Sequence, residues 1–210
     1  MKRFTLILSV AFAATGANAH PVGSPALFDA MKRQMERAQQ GLKGTEAFQN
    51  DLRPIANAGD PVAKFYLGNL VVNSDKASAK VLLRESAMAG CAGAAGALAL
   101  LQSNDDVGES KKWRQIAVEG GDATAIVLTS GAYKSGAFGE EKDAAAALAW
   151  ADLAWRQTYS TGVRAALTSE IAVMKAGLSP SELSRASTIE AALFSAHPKV
   201  SPYPCGQATP

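Results

Sequence analysis

A bulky residue, an alanine four positions later and a glycine three beyond that recur in fixed order along this chain. The set reads Leu52, Ala56, Gly59, then Leu83, Ala87, Gly90, then Trp113, Ala117, Gly120. Trp150 and Ala154 repeat its first two members without the glycine. A second pattern follows each glycine. Asp60, Ala63, Leu67 and Gly68 follow Gly59, and Cys91, Ala94, Leu98 and Ala99 follow Gly90. Asp122, Ala125, Thr129, Ser130, Tyr133 and Gly136 follow Gly121. A step of roughly thirty residues is the mark of a stacked array of small units.

The spacings carry a physical meaning. Positions i, i+3, i+4 and i+7 share one face of a helix. Small residues there let two helices approach closely, and the bulky residue fills the groove between them. Asp60-Pro61 places a capping carboxylate before a proline at the first helical position, and Asp122 can cap in the same way. Each unit therefore reads as two helices meeting at a tight glycine turn. One such pair cannot bury its apolar face alone, but a stack can.

The chain reads as all-α. Ser24-Pro25 opens a first helix, with Leu27, Phe28, Met31 and Met35 on one face. Further helices are expected near 45–57, 61–73, 76–89, 92–103, 108–119, 123–135, 141–157 and 162–176. Pro54 is placed to kink or shorten the second of these. Ser179-Pro180-Ser181-Glu182 is a capping box that opens a last helix to about Ala196. No stretch alternates as a strand does. Three prolines and a glycine beyond His197 break any helix and imply an extended tail.

The N-terminal end reads as an address. Lys2 and Arg3 precede an apolar run from Phe4 to Ala14, and Ala17-Asn18-Ala19 is an A-x-A cleavage site. The run is about half of the ~20 residues needed to span a bilayer, which favours a cleaved signal peptide over an anchor. Cleavage would remove two positive charges and take the formal charge from +2 to neutral. The expected organisation is a signal peptide over 1–19, an N-terminal helix over 20–44 and repeats over 45–157. Closing helices over 158–196 and an extended tail over 197–210 complete it. The expected location is the periplasm, with secretion as the alternative and no stable membrane insertion after cleavage.

These units resemble Sel1-like repeats, the bacterial relatives of tetratricopeptide repeats. The best match runs through Gly121, Asp122, Ala125, Tyr133, Gly136, Asp143, Ala147, Trp150 and Ala154. The unit from Gly59 to Gly90 matches at Asp60, Ala63, Leu67, Gly68, Ala79, Leu83 and Ala87. The middle unit departs, with Cys91 in place of the aspartate. The resemblance implies a curved α-solenoid whose concave side holds a peptide or protein. It also implies that the first helix of each pair lines the inner curve. Counting from the packing positions places Phe65, Asn69, Val72, Leu100, Val127 and Lys134 toward it. The plainer reading of Phe65, Val72, Leu100 and Val127 is core.

Familiar catalytic signatures are missing from the sequence. Gly90, Gly93 and Gly96 are spaced G-x-x-G-x-x-G, which is not the dinucleotide fingerprint and reads as a close helix crossing. The chain contains no Gly-Lys pair for a phosphate loop, no S-x-x-K and no G-x-S-x-G. Asp105-Asp106 and Glu140-Glu141 read as solvated caps in linkers. Lys32, Arg33, Glu36 and Arg37 read as the wet face of the first helix. Trp113 and Trp150 hold equivalent repeat positions and read as core, whereas Trp155 and Tyr159 fall outside the register and suit an exposed contact.

Two His and two Cys leave little for a metal. His20 would become the N-terminal residue after cleavage, offering an amine and an imidazole to copper; a terminus that merely begins with His is the plainer reading. Cys91 and Cys205 can pair in an oxidising compartment. Such a bridge closes a long loop, for which chain-entropy theory allows roughly 4–5 kcal/mol. The alternative is a buried Cys91 with a free or intermolecular Cys205. The expected function is a non-catalytic periplasmic adaptor without cofactors, binding a protein or peptide of the cell envelope and no nucleic acid. The alternative is an accessory subunit or enzyme acting on cell-wall or envelope material, with His20 as its metal site.

Overall fold

Helices make up most of the described residues of the computed structural model, which describes residues 23–42, 44–197 and 205. The candidate signal segment 1–19, His20, and the tail apart from His197 and Cys205 lie outside the described residues. Ten helices follow in chain order: α1 (Pro25–Gln39), α2 (Thr45–Asn57), α3 (Pro61–Val71), α4 (Lys76–Met88), α5 (Ala92–Gln102), α6 (Val107–Glu119), α7 (Ala123–Ser135), α8 (Ala144–Gln157), α9 (Thr161–Gly177) and α10 (Pro180–Ala196). Among the described residues there is no strand.

Short polar side chains set where most of these helices begin. The Asp60 carboxylate accepts from the Val62 and Ala63 amides, each at 2.9 Å. Asp75, Asp106, Asp122 and Asp143 cap α4, α6, α7 and α8 in the same manner. Ser179 and Glu182 form the reciprocal capping box at α10. Cys91 occupies the cap position of α5, and its side chain does not cap the helix amides. Two boundaries depart from expectation. α8 starts at Ala144 rather than near 141, because Asp143 caps it and Gly136, Phe138 and Gly139 all take positive φ in the loop before it. α2 runs through Pro54 to Asn57 with its length intact.

The helices pair and the pairs stack. α3 packs on α4, α5 on α6 and α7 on α8. The turn glycines Gly59 and Gly121, together with Gly90, have φ of +100°, +76° and +96°, a region that costs an L-residue roughly 1–2 kcal/mol. Within the α3–α4 pair, a Cβ on Gly68 would stand 2.8 Å from Leu83 Cγ. Between pairs, a Cβ on Gly96 of α5 would stand 2.9 Å from the capping carboxylate of Asp122. Gly96, the last glycine of the run, thus stands at a close crossing, whereas Gly90 serves the turn before α5. α5 touches both α3 and α7.

A second device joins the helices of each pair. Ser86 of α4 donates to the Pro61 carbonyl of α3 at 2.6 Å. Ser110 of α6 donates to the Ala99 carbonyl of α5 at 2.6 Å. Ser130 of α7 donates to the Ala147 carbonyl of α8 at 2.8 Å. All three serines are buried. The continuous core runs from Leu27 and Leu52 through Leu83, Leu98 and Ile126 to Leu148, Leu153 and Leu167.

The C-terminal helices close on the last pair. Both α9 and α10 pack on α8. Arg185 of α10 makes a two-pronged pair with Asp143, at 2.8 and 2.6 Å, and Arg156 of α8 pairs with Glu190 at 2.8 Å. A disulfide joins Cys205 to Cys91 at the start of α5, with the two Cα atoms 4.2 Å apart. No helix is long and apolar enough to cross a membrane among the described residues.

Candidate functional site

Of the residues that counting placed on the inner curve, Phe65 and Asn69 lie in α3, Leu100 in α5, and Val127 and Lys134 in α7, whereas Val72 is the residue that ends α3. Their environments differ. Phe65 and Val72 are half-buried against the core, and the Phe65 ring lies 5.2 Å from that of Tyr66. Asn69 is exposed and donates back to the Phe65 carbonyl. Leu100 is 44% exposed, more than a core leucine would be. Val127 lines a mostly apolar cleft with Tyr159 and Val163. Lys134 reaches across to Glu170 of α9 at 2.7 Å. Val127 and Lys134 line two different clefts. The set is thus spread along the stack and is not gathered in one cleft. Trp155 and Tyr159 are both exposed, and Trp155 donates to Thr168 at 2.9 Å.

A polar pocket of about 280 Å³ lies elsewhere, between α6, α7 and α8. Lys111, Arg114, Gln115, Val118 and Glu119 reach it from α6, and Thr129 and Tyr133 from α7. Glu140 comes from the loop before α8, Trp150 from α8, and His197 from the end of α10. The helical repeat explains the α6 set, since positions 111, 114, 115, 118 and 119 share one face.

Arg114 is the centre of this pocket. It is only 4% exposed and pairs through Nη2 with Glu140 Oε1. Lys111 takes the other oxygen of Glu140 at 3.0 Å. Arg114 Nη1 is buried with no acceptor. An unsatisfied buried donor costs about 1–3 kcal/mol, so the position calls for an acceptor. Burial pulls the Arg114 guanidinium below its ordinary value while Glu140 opposes that shift. Burial, then the charge of Glu140, pushes the Tyr133 hydroxyl above the usual phenol range. The rings of Trp150 and His197 lie 5.8 Å apart and form one wall.

Three sequence readings change here. Glu140 is the half-buried partner of two cations rather than a solvated linker cap. Trp150 packs on the core but also lines the pocket. His197 lines that pocket, whereas the sequence reading placed it at the start of the extended tail. The clustering joins α6, a loop and two later helices, so no local spacing could have announced it. Among the described residues no group of three or more His, Cys, Asp or Glu could hold a metal ion. His20 is not among those residues.

No family model matches the chain, and no curated protein matches it. A solved structure does: c5321, a protective antigen present in uropathogenic Escherichia coli strains and displaying an SLR fold. The two share a TM-score of 0.64 and 23% sequence identity. The likeness covers 74% of this chain and 34% of the antigen, so this chain spans about a third of that one. At that identity the likeness is one of architecture, and the architecture it shows is the α-solenoid of Sel1-like repeats.

Proposed function

We propose that this protein is a non-catalytic adaptor of the bacterial periplasm that presents the first helices of its repeats to a protein or peptide partner. The observation that carries the reading is the stack itself. Stacked helix pairs with α5 in contact with both α3 and α7 offer an extended, preformed surface, which suits protein recognition with little ordering cost. Exposed Leu100 and half-buried Phe65 and Val127 supply apolar anchors along it, and Asn69 and Lys134 supply polar flanks. The candidate signal peptide and the Cys91–Cys205 disulfide both suit an oxidising compartment.

The experiment is affinity capture from cross-linked periplasm with wild-type protein, Leu100→Asp and Phe65→Ala in parallel. One partner at near-equal stoichiometry, lost in the variants while their helical content holds, is the expected result. A partner retained equally by all three proteins, or no partner after cross-linking, would contradict the reading.

A further inference from the structure

Two sets of residues on the first helices are equally spaced along the chain and equally placed in the fold. Asn69, Leu100 and Gly131 lie on α3, α5 and α7 in turn, and each is exposed. Tyr66, Ala97 and Leu128 stand three positions earlier on the same helices, and each is half-buried. Residues three apart share one face of a helix, and α5 touches both α3 and α7. The six positions therefore form two neighbouring rows on one continuous surface.

That surface offers no free charge. α3, α5 and α7 contain no Asp or Glu, and their cations are Lys64 and Lys134. Both are already paired, Lys64 with Glu85 at 2.8 Å and Lys134 with Glu170 at 2.7 Å. The second helices differ, since α4 carries four charged side chains and α6 carries five. Burial alone does not account for the contrast. Leu100 is 44% exposed, and a Cβ on Gly131 would meet nothing within 4 Å. Solvent-facing positions of a surface helix ordinarily carry charged or polar side chains. Here the outer row holds Asn, Leu and Gly.

We propose that the segment received by α3, α5 and α7 is an uncharged stretch of polypeptide rich in apolar side chains. The inference rests on the reading of that surface as the docking face, and it names the chemistry of what docks there. A charge taken out of water without a counter-charge is costly, and both cations of this face are already answered. Acidic and basic segments are therefore disfavoured alike, which is specificity by exclusion. Leu100 supplies an exposed apolar contact, with half-buried Tyr66 and Leu128 beside it. The open space at Gly131 leaves room over α7 for a side chain of the partner.

Selection of random linear peptides displayed on phage, made on the purified protein, tests it. Fluorescence anisotropy then follows binding of the selected peptides as synthetic chains. Leu100→Asp and Gly131→Asp should each weaken them about tenfold or more. Gly131→Asp adds its carboxylate to open space, so it decides if Leu100→Asp loses helical content. The shared core of the selected peptides should lack Asp, Glu, Lys and Arg. Replacing one apolar core residue by Glu or by Lys should weaken binding more than Gln does, and to a similar degree for both signs. Raising NaCl from about 0.05 to about 0.5 M should change the affinity less than about twofold, because no ion pair is made. The inference is overturned, with the docking face left standing, by a core that bears a charge or by a Glu or Lys form that binds as well as the Gln form. A tenfold loss in salt overturns it in the same way. If no peptide is selected, or if the selected peptides are indifferent to both variants, the docking face falls and the inference falls with it.

Discussion

Ser86, Ser110 and Ser130 each send a buried hydroxyl across one helix pair to a carbonyl of its partner. No sequence pattern announces them, because a serine inside a helix reads as a mild interruption and its target lies on another element. Replacing any one by alanine should cost about 1 kcal/mol, the net worth of a typical hydrogen bond. The three sites lie in different pairs, so a triple variant should lose close to the sum. Urea denaturation measures this; three unchanged midpoints would show the bonds to be incidental. The capping aspartates, by contrast, were partly legible, and two of them should respond oppositely to acid. Burial raises the Asp122 carboxyl above its ordinary value despite its bonds to the Ala125 and Thr124 amides. Its charged form is therefore a burden on the fold, relieved as pH falls through the raised value. Asp122→Asn keeps a capping oxygen and should stabilise the protein at pH 7. At Asp143 burial also pushes upward, but the Arg185 hydrogen bonds and the α8 amides prevail, so its carboxyl titrates below the usual range. That stabilisation is full above about pH 4 and fades as pH falls through the lowered value. Asp143→Asn should remove it. Thermal unfolding from pH 7 to pH 3 should therefore show a smaller acid loss for Asp143→Asn than for wild type, and a higher neutral melting temperature for Asp122→Asn.

At the scale of elements, the periodicity of small residues placed nearly every helix within a turn of its observed position. The reason is local: capping residue, apolar stripe and glycine turn sit side by side in the sequence. The early start expected for α8 came from reading Glu141 and Lys142 as helical when Asp143 is the cap. How α9 and α10 both return to α8 was not legible, because Arg185–Asp143 and Arg156–Glu190 join residues far apart in sequence. The α3–α4 crossing depends on Gly68 lying against Leu83. Gly68→Val should force that pair apart and cost about 1–3 kcal/mol, as overpacking does. An unaltered urea midpoint would mean that Leu83 swings aside freely. The polar pocket was illegible for the same reason as the α10 contacts, since Arg114, Glu140 and His197 come from three separate elements.

The whole molecule is a stack whose middle unit is tied to the C-terminal tail by one covalent bond. Cys91 begins α5 and Cys205 lies beyond the last helix, 114 residues away. Long loops restrict the unfolded chain most, so Cys205→Ala should cost about 2–4 kcal/mol of stability. Denaturation midpoints of wild-type protein with and without reductant, beside the variant, measure that; identical midpoints would show the bridge to be energetically idle. The central claim is that the row on α3, α5 and α7 is where this solenoid meets its partner. Hydrogen exchange on the complex obtained by capture tests it most directly. The account predicts new protection in peptides covering 61–71, 92–102 and 123–135, with α4, α6 and α10 unchanged. Protection confined to α4, α6 or α10, with those first helices exchanging as in the free protein, would contradict it.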